Sequence, residues 1–101
     1  MSYEMLVEVD GEVTEAYHLG STTDVDDLVR WLGALPDEPD FRPARDFAET
    51  FQTDDGTALA LSLGKALAAH PPTVRGVEAT VTEVGDTCFG LPRGHVFRLE
   101  A

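Results

Sequence analysis

An α+β domain is the fold class the sequence predicts, and three observations predict it. Two alternating segments flank an Asp10-Gly11 pair near the N-terminus, the Ala/Leu-rich run from Gly56 to His70 carries one strong charge, Lys65, and a short alternating segment, His95 to Leu99, comes last. Alternation is the period of a half-buried strand, whereas a long apolar run with recurrence at three and four residues is a helix. The expected architecture is an N-terminal β-hairpin, three or four helices around the central Ala/Leu-rich helix, and one or two C-terminal strands joining the hairpin in an antiparallel sheet. With 101 residues, 43% of them hydrophobic, the chain makes one domain over residues 1–101. A chain of that size buries roughly 60–70% of its unfolded surface without needing staples.

In the first strand, Tyr3, Met5, Val7 and Val9 point one way and Glu4 and Glu8 the other. Asp10-Gly11 suits a type I′ turn, whose two central residues both need positive φ. Alternation resumes from Glu12 to Leu19, with Val13, Tyr17 and Leu19 expected inward and His18 toward solvent. Gly20-Ser21-Thr22-Thr23 ends the strand. Thr23 with Asp26 forms a candidate capping box for a helix reaching about Leu35, its buried stripe being Val25, Leu28, Val29, Leu32 and Leu35. Asp24, Asp26 and Asp27 occupy its first turn, where the helix dipole favours negative charge, and Asp26 can pair with Arg30. Trp31 lies at the edge of the stripe.

Two prolines and three acids between Leu35 and Asp40 predict a loop. Phe41, Ala44, Phe47, Ala48 and Phe51 then recur at helical spacing, with Pro43 tolerated in the first turn and Arg45 able to pair with Glu49, so a second helix ends near Gln52. An Asp of Asp54-Asp55 is the expected N-cap of the central helix. On that helix Leu59, Leu63, Ala66, Leu67 and His70 share a face that Leu61 and Ala68 widen, leaving Ala58, Ser62, Lys65 and Ala69 for water. Such an arc predicts a helix covered on most sides, with Ala60 and Gly64 admitting a neighbouring backbone. Pro71-Pro72 stops it.

Thr73 to Val84 reads two ways. Val74, Val77, Val81 and Val84 have helical spacing, while the abundance of Val and Thr favours a strand. Beyond Gly85-Asp86, Thr87 to Leu91 reads as a strand, Pro92-Arg93-Gly94 as a turn, and His95 to Leu99 as a last strand with His95, Phe97 and Leu99 on one face.

The string Leu19-Gly20-Ser21, Asp27-Leu28, Trp31, Leu35-Pro36 and the Ala-rich helix ending in His70-Pro71-Pro72 resembles small uncharacterised bacterial domains of unknown function. The resemblance spans residues 19 to about 84. It implies a helix after the two prolines and brings no activity and no functional residues.

Composition narrows the function. Ten Asp and nine Glu against six Arg and one Lys leave a net charge of −12. That charge opposes direct binding to nucleic-acid phosphates or anionic membranes within a Debye length of about 8 Å. No apolar run approaches the roughly 20 residues of a membrane span, and the lone Cys88 leaves no internal disulfide, so a cytoplasmic, unprocessed protein is expected. The catalytic inventory is thin. Cys88 and His95 are the one Cys–His combination, too few for structural zinc, and Ser2, Ser21 and Ser62 lie in no nucleophile elbow. Around Gly56 there is no calcium loop, because Phe51 and Ser62 stand where carboxylates are needed. Gly64-Lys65 is no phosphate loop, lacking the first glycine and the Ser or Thr.

The expected function is therefore non-enzymatic, an acidic protein-binding module that acts as adaptor or inhibitor of a basic partner, with no cofactor and no metal. Asp24, Asp26, Asp27 and Trp31 are the candidate binding residues, a charged rim beside an aromatic. A small hydrolase using Cys88 and His95 or carboxylates is one alternative. A self-associating structural protein, a homo-oligomer, is the other.

Overall fold

A computed structural model describes all 101 residues. The hairpin forms as its turn chemistry requires: strand β1, Ser2–Val9, meets β2, Glu12–Ser21, through Asp10 at φ 53° and Gly11 at φ 81°. Helices α1, Thr22–Gly33, and α2, Arg42–Thr50, follow, then a two-residue strand β3, Gln52–Thr53. Helix α3 spans Gly56–Ala69, α4 spans Val77–Cys88, and strand β4, His95–Glu100, completes the sheet. All pairings are antiparallel, in the order β2-β1-β4-β3. The α+β class, the hairpin, four helices and a single C-terminal strand are thus present.

One face of the sheet supplies the core. Met5 and Val7 of β1 pair with Leu99 and Phe97 of β4, and all four are buried with Val25, Leu28, Leu32, Phe47, Leu59, Leu63 and the valines of α4. Glu4, Leu6 and Glu8 alternate onto the other face, where Arg98 lies 2.8 Å from Glu8 and 3.0 Å from Glu100. On β2 the alternation is interrupted twice. Thr14 and Leu19 are extra residues that shift the register between Val7 and Glu8 and between Tyr3 and Glu4. Consequently Val13 sits opposite Glu8, away from the core; Tyr17, opposite Met5, keeps the expected inward side of the sheet but is exposed, and Leu19 alone of the three is buried. His18 is exposed, as expected.

The helix boundaries carry several corrections. Ser21, not Thr23, is the N-cap of α1, and Asp24 completes the box, because the chain leaves the strand in extended geometry at Ser21. Arg30 pairs with Asp27 at 3.4 Å, one residue closer in sequence than Asp26. The loop after Leu35 contains a 3-10 turn over Pro39–Phe41. Arg45 donates to the carbonyl of Leu35 and so ties that loop to α2 instead of reaching Glu49. Asp55 caps α3 by accepting from the Ala58 N–H at 3.0 Å.

Helix α3 is less enclosed than expected. Leu59, Ser62, Leu63 and Ala66 are buried, but Leu61, Gly64, Lys65, Ala68 and His70 face solvent. A Cβ on Gly64 would meet nothing within 4 Å, so no backbone closes on it. The close approach is at Gly56, where a Cβ would lie 2.6 Å from the carbonyl oxygen of Cys88. Ser62, assigned to water by its polarity, is buried because it joins elements: its hydroxyl donates to the Asp40 carbonyl at 2.7 Å and accepts from the Ala44 N–H at 3.2 Å. It thereby satisfies a donor in the first turn of α2, whose own N-cap, Phe41, offers none.

The ambiguous segment is helical from Val77 onward, with Thr73 to Gly76 outside the helix and Val74 exposed, and magnitudes explain why. Val77, Val81, Val84 and Cys88 fall on one stripe and are almost wholly buried. Burying each valine contributes roughly 1.5–3 kcal/mol, against a helix-propensity penalty below about 0.7 kcal/mol per residue. The threonines adapt, with Thr80, Thr82 and Thr87 donating to the carbonyls four residues back. The stripe continues past Gly85, so the expected strand over Thr87–Leu91 does not form. It is the end of α4 and a turn through Gly90 at φ 79°.

Candidate functional site

The residues that sequence reasoning singled out do not converge. The Asp24 carboxylate is engaged by the cap, 3.0 Å from the Ser21 N–H and 2.9 Å from its hydroxyl. These bonds, the backbone one first, hold its carboxyl below the usual carboxylate range. Asp26 is exposed and makes no side-chain hydrogen bond or ion pair. Asp27 and Trp31 do share a shallow recess of about 180 Å³ with Arg30, Pro72 and Val74. There the Trp31 indole donates to the His70 carbonyl at 3.0 Å and packs against the core margin, fastening α1 to the end of α3.

Cys88 is fully buried, and desolvation pushes its thiol up to about 12. Neither Cys88 nor His95 lines any of five surface clefts. A nucleophilic cysteine needs an accessible thiolate, and at neutral pH this one is a neutral, packed thiol. No group of three or more His, Cys, Asp or Glu side chains is placed to hold a metal ion. No helix is long and apolar enough to cross a membrane.

A cleft of about 490 Å³ lies between β2 and the C-terminal turns of α4. Glu15 pairs with Val7 and Tyr17 with Met5, so both project on the helix side of the sheet, beyond the ground that α4 covers. Glu83, Asp86 and Thr87 of α4 line the opposite side, and Met5, Leu91 and His18 complete the lining. Three carboxylates therefore line one cleft that contains no lysine or arginine. Tyr17, 46% exposed, donates to Glu15 at 2.7 Å, and this bond raises the phenol above its ordinary value. The arrangement offers negative charge beside an aromatic and an aliphatic surface, the chemistry that takes up a cation carried on an apolar stem.

Elsewhere most of the basic residues are engaged, while Arg75 is exposed and makes no ion pair. Arg30, Arg42, Lys65 and Arg98 each lie within ion-pair distance of an acid, Arg45 is held by the Leu35 carbonyl, and Arg93 shares a second cleft with Asp54 and Asp55. The cleft under β2 was missed in the sequence because its acids come from two elements about seventy residues apart. The signal that was present is the pair Glu15 and Tyr17 at spacing two on a strand, which places both on one face.

Comparison with family models, with curated proteins and with solved structures finds nothing that matches this chain. Any functional reading rests on the geometry itself.

Proposed function

We propose that the protein is a non-enzymatic acidic binding module, an adaptor or inhibitor that engages a basic segment of a partner protein. The observation that carries the reading is the cleft lined by Glu15, Glu83 and Asp86 beside Tyr17, with no lysine or arginine in its lining. Unneutralised carboxylates on a protein of net charge −12 repel one another, and a partner's lysine or arginine relieves that repulsion on binding. Asp26, Asp27 and Trp31 lie outside this cleft, on α1.

The test is a pull-down from a lysate of the source organism at low and moderate salt. The tagged wild type is compared with Glu15→Gln/Glu83→Gln/Asp86→Asn and with Asp24→Asn/Asp26→Asn/Asp27→Asn. A stoichiometric protein partner that is lost in the cleft variant and at moderate salt is the expected result. A partner retained by both variants at both salt levels would contradict the mechanism.

One observation favours self-association as a second reading. Leu61 and Phe89 are 55% and 66% exposed, and Phe89 borders a groove of about 210 Å³ between α3 and α4 with Ala60, Gly64, Leu67 and Gly85. Sedimentation equilibrium on wild type and Phe89→Ser separates the two readings. A concentration-dependent dimer abolished by the substitution would support self-association, and a monomer throughout would remove it.

A further inference from the structure

The two edges of the sheet are unequal. β3 presents only two residues, a length that blunts an edge, whereas β2 presents ten. Outside its ladder with β1, no backbone hydrogen bond involves residues 12–20. No side chain of the protein bonds to the β2 backbone over that stretch. Glu12 to His18 are exposed. The outward-facing N–H and C=O groups of β2 therefore have no partner within the chain, and nothing covers them.

The two bulges define how much of this edge is regular. Thr14 and Leu19 are the extra residues, so Glu15-Ala16-Tyr17-His18 is the uninterrupted stretch between them. Bulges increase local twist and end pairing, which confines an added strand to a short segment. Side chains of such a strand would alternate as those of β2 do. One set would lie beside Glu15 and Tyr17, over the cleft walled by Glu83 and Asp86; the other would lie beside Ala16 and His18 on the open face.

Charge decides the occupant. A second copy of this chain pairing through β2 would set two chains of net charge −12 against each other. A segment with lysine or arginine at alternate positions meets the opposite condition, because each inward cation enters a cleft with three carboxylates. We infer that β2 takes a short, extended, basic segment of a partner protein as a fifth strand along Glu15–His18, its alternate cations entering the Glu15/Glu83/Asp86 cleft. The inference rests on the acidic binding reading and adds to it the mode of recognition.

Two blocked heptapeptides test it, one of alternating L-lysine and L-valine, the other of the same composition with alternating D and L residues. The second has the same charge but cannot place its side chains on alternate faces of a regular ladder. Affinity is measured for both peptides on wild type and on Glu15→Gln/Glu83→Gln/Asp86→Asn, whose fold is checked by circular dichroism. Amide hydrogen exchange of the wild type locates the bound L-peptide. The expected result is slowed exchange at alternate amides of Glu15–His18, with about tenfold or greater loss of affinity both for the D,L peptide and in the variant. Equal affinity for the two peptides, or protection elsewhere than β2, would overturn strand addition; a loss of affinity in the variant would still leave the acidic binding reading standing. Failure of both peptides to bind, or binding indifferent to the three neutralisations, would overturn both.

Discussion

Single side chains in this protein carry tasks that their polarity alone does not announce. Ser62 is 3% exposed and bonds both the Asp40 carbonyl and the Ala44 N–H. Ser62→Ala leaves the buried Ala44 N–H without this acceptor and the part-buried Asp40 carbonyl without this donor, so a loss of about 1–3 kcal/mol is expected in chemical denaturation. Asp24 gives a pH dependence. Its carboxyl is held below the ordinary value by Ser21, so the folded chain binds fewer protons at this site than the unfolded chain. The stabilisation it brings is complete above the unfolded value of about 3.9 and is lost as pH falls through the lower folded value. Denaturation midpoints of wild type and Asp24→Asn should differ at neutral pH and converge in strong acid. Cys88, buried and neutral, should resist thiol-alkylating reagents in the native protein and react fully once denatured. Rapid native alkylation would show that α4 opens or that the thiol is reached from solvent.

The glycines separate two roles at the scale of elements. Gly56 lets the start of α3 meet the end of α4, and a Cβ there would lie 2.6 Å from the Cys88 carbonyl oxygen. Gly56→Ala should therefore cost about 1–3 kcal/mol through displaced backbone. Gly64, exposed in the same helix with open space around it, should behave oppositely. Gly64→Ala is expected to raise stability by up to about 1 kcal/mol, because only the helix-propensity difference remains. Thermal or denaturant unfolding of the two variants checks both signs.

What was readable in the chain was local. The Asp10-Gly11 turn, the stripe Val25, Leu28, Leu32, the Phe41–Phe47 spacing, the Asp cap of α3 and the Phe97/Leu99 face all depend on neighbours a few residues away. What was not readable was set by distant partners. β3 exists because Phe51, at φ 59°, turns the chain so that Gln52 and Thr53 meet Arg98 and Phe97. The bulges at Thr14 and Leu19 shift alternation that looks unbroken in the sequence. The helical state of Val77–Cys88 was decided by burial against the other helices rather than by residue preference, and the cleft exists only where β2 overhangs α4.

At the scale of the molecule, the fold sorts charge unevenly. Most cations are committed to neighbouring acids, while the cleft beneath the free edge of β2 collects three carboxylates and an exposed tyrosine. Three carboxylates thus lie beside an unpaired strand edge, the combination on which the proposed recognition of a basic segment rests. Ion pairing between solvent-facing groups is screened by salt, with a Debye length falling from about 10 Å at 0.1 M to about 3 Å at 1 M. The most direct measurement is the salt dependence of binding of the alternating lysine–valine heptapeptide to wild type and to Glu15→Gln/Glu83→Gln/Asp86→Asn. The account predicts that wild-type affinity falls steeply as salt rises and that the variant binds weakly with a shallow dependence; equal affinities with equal salt slopes would contradict it.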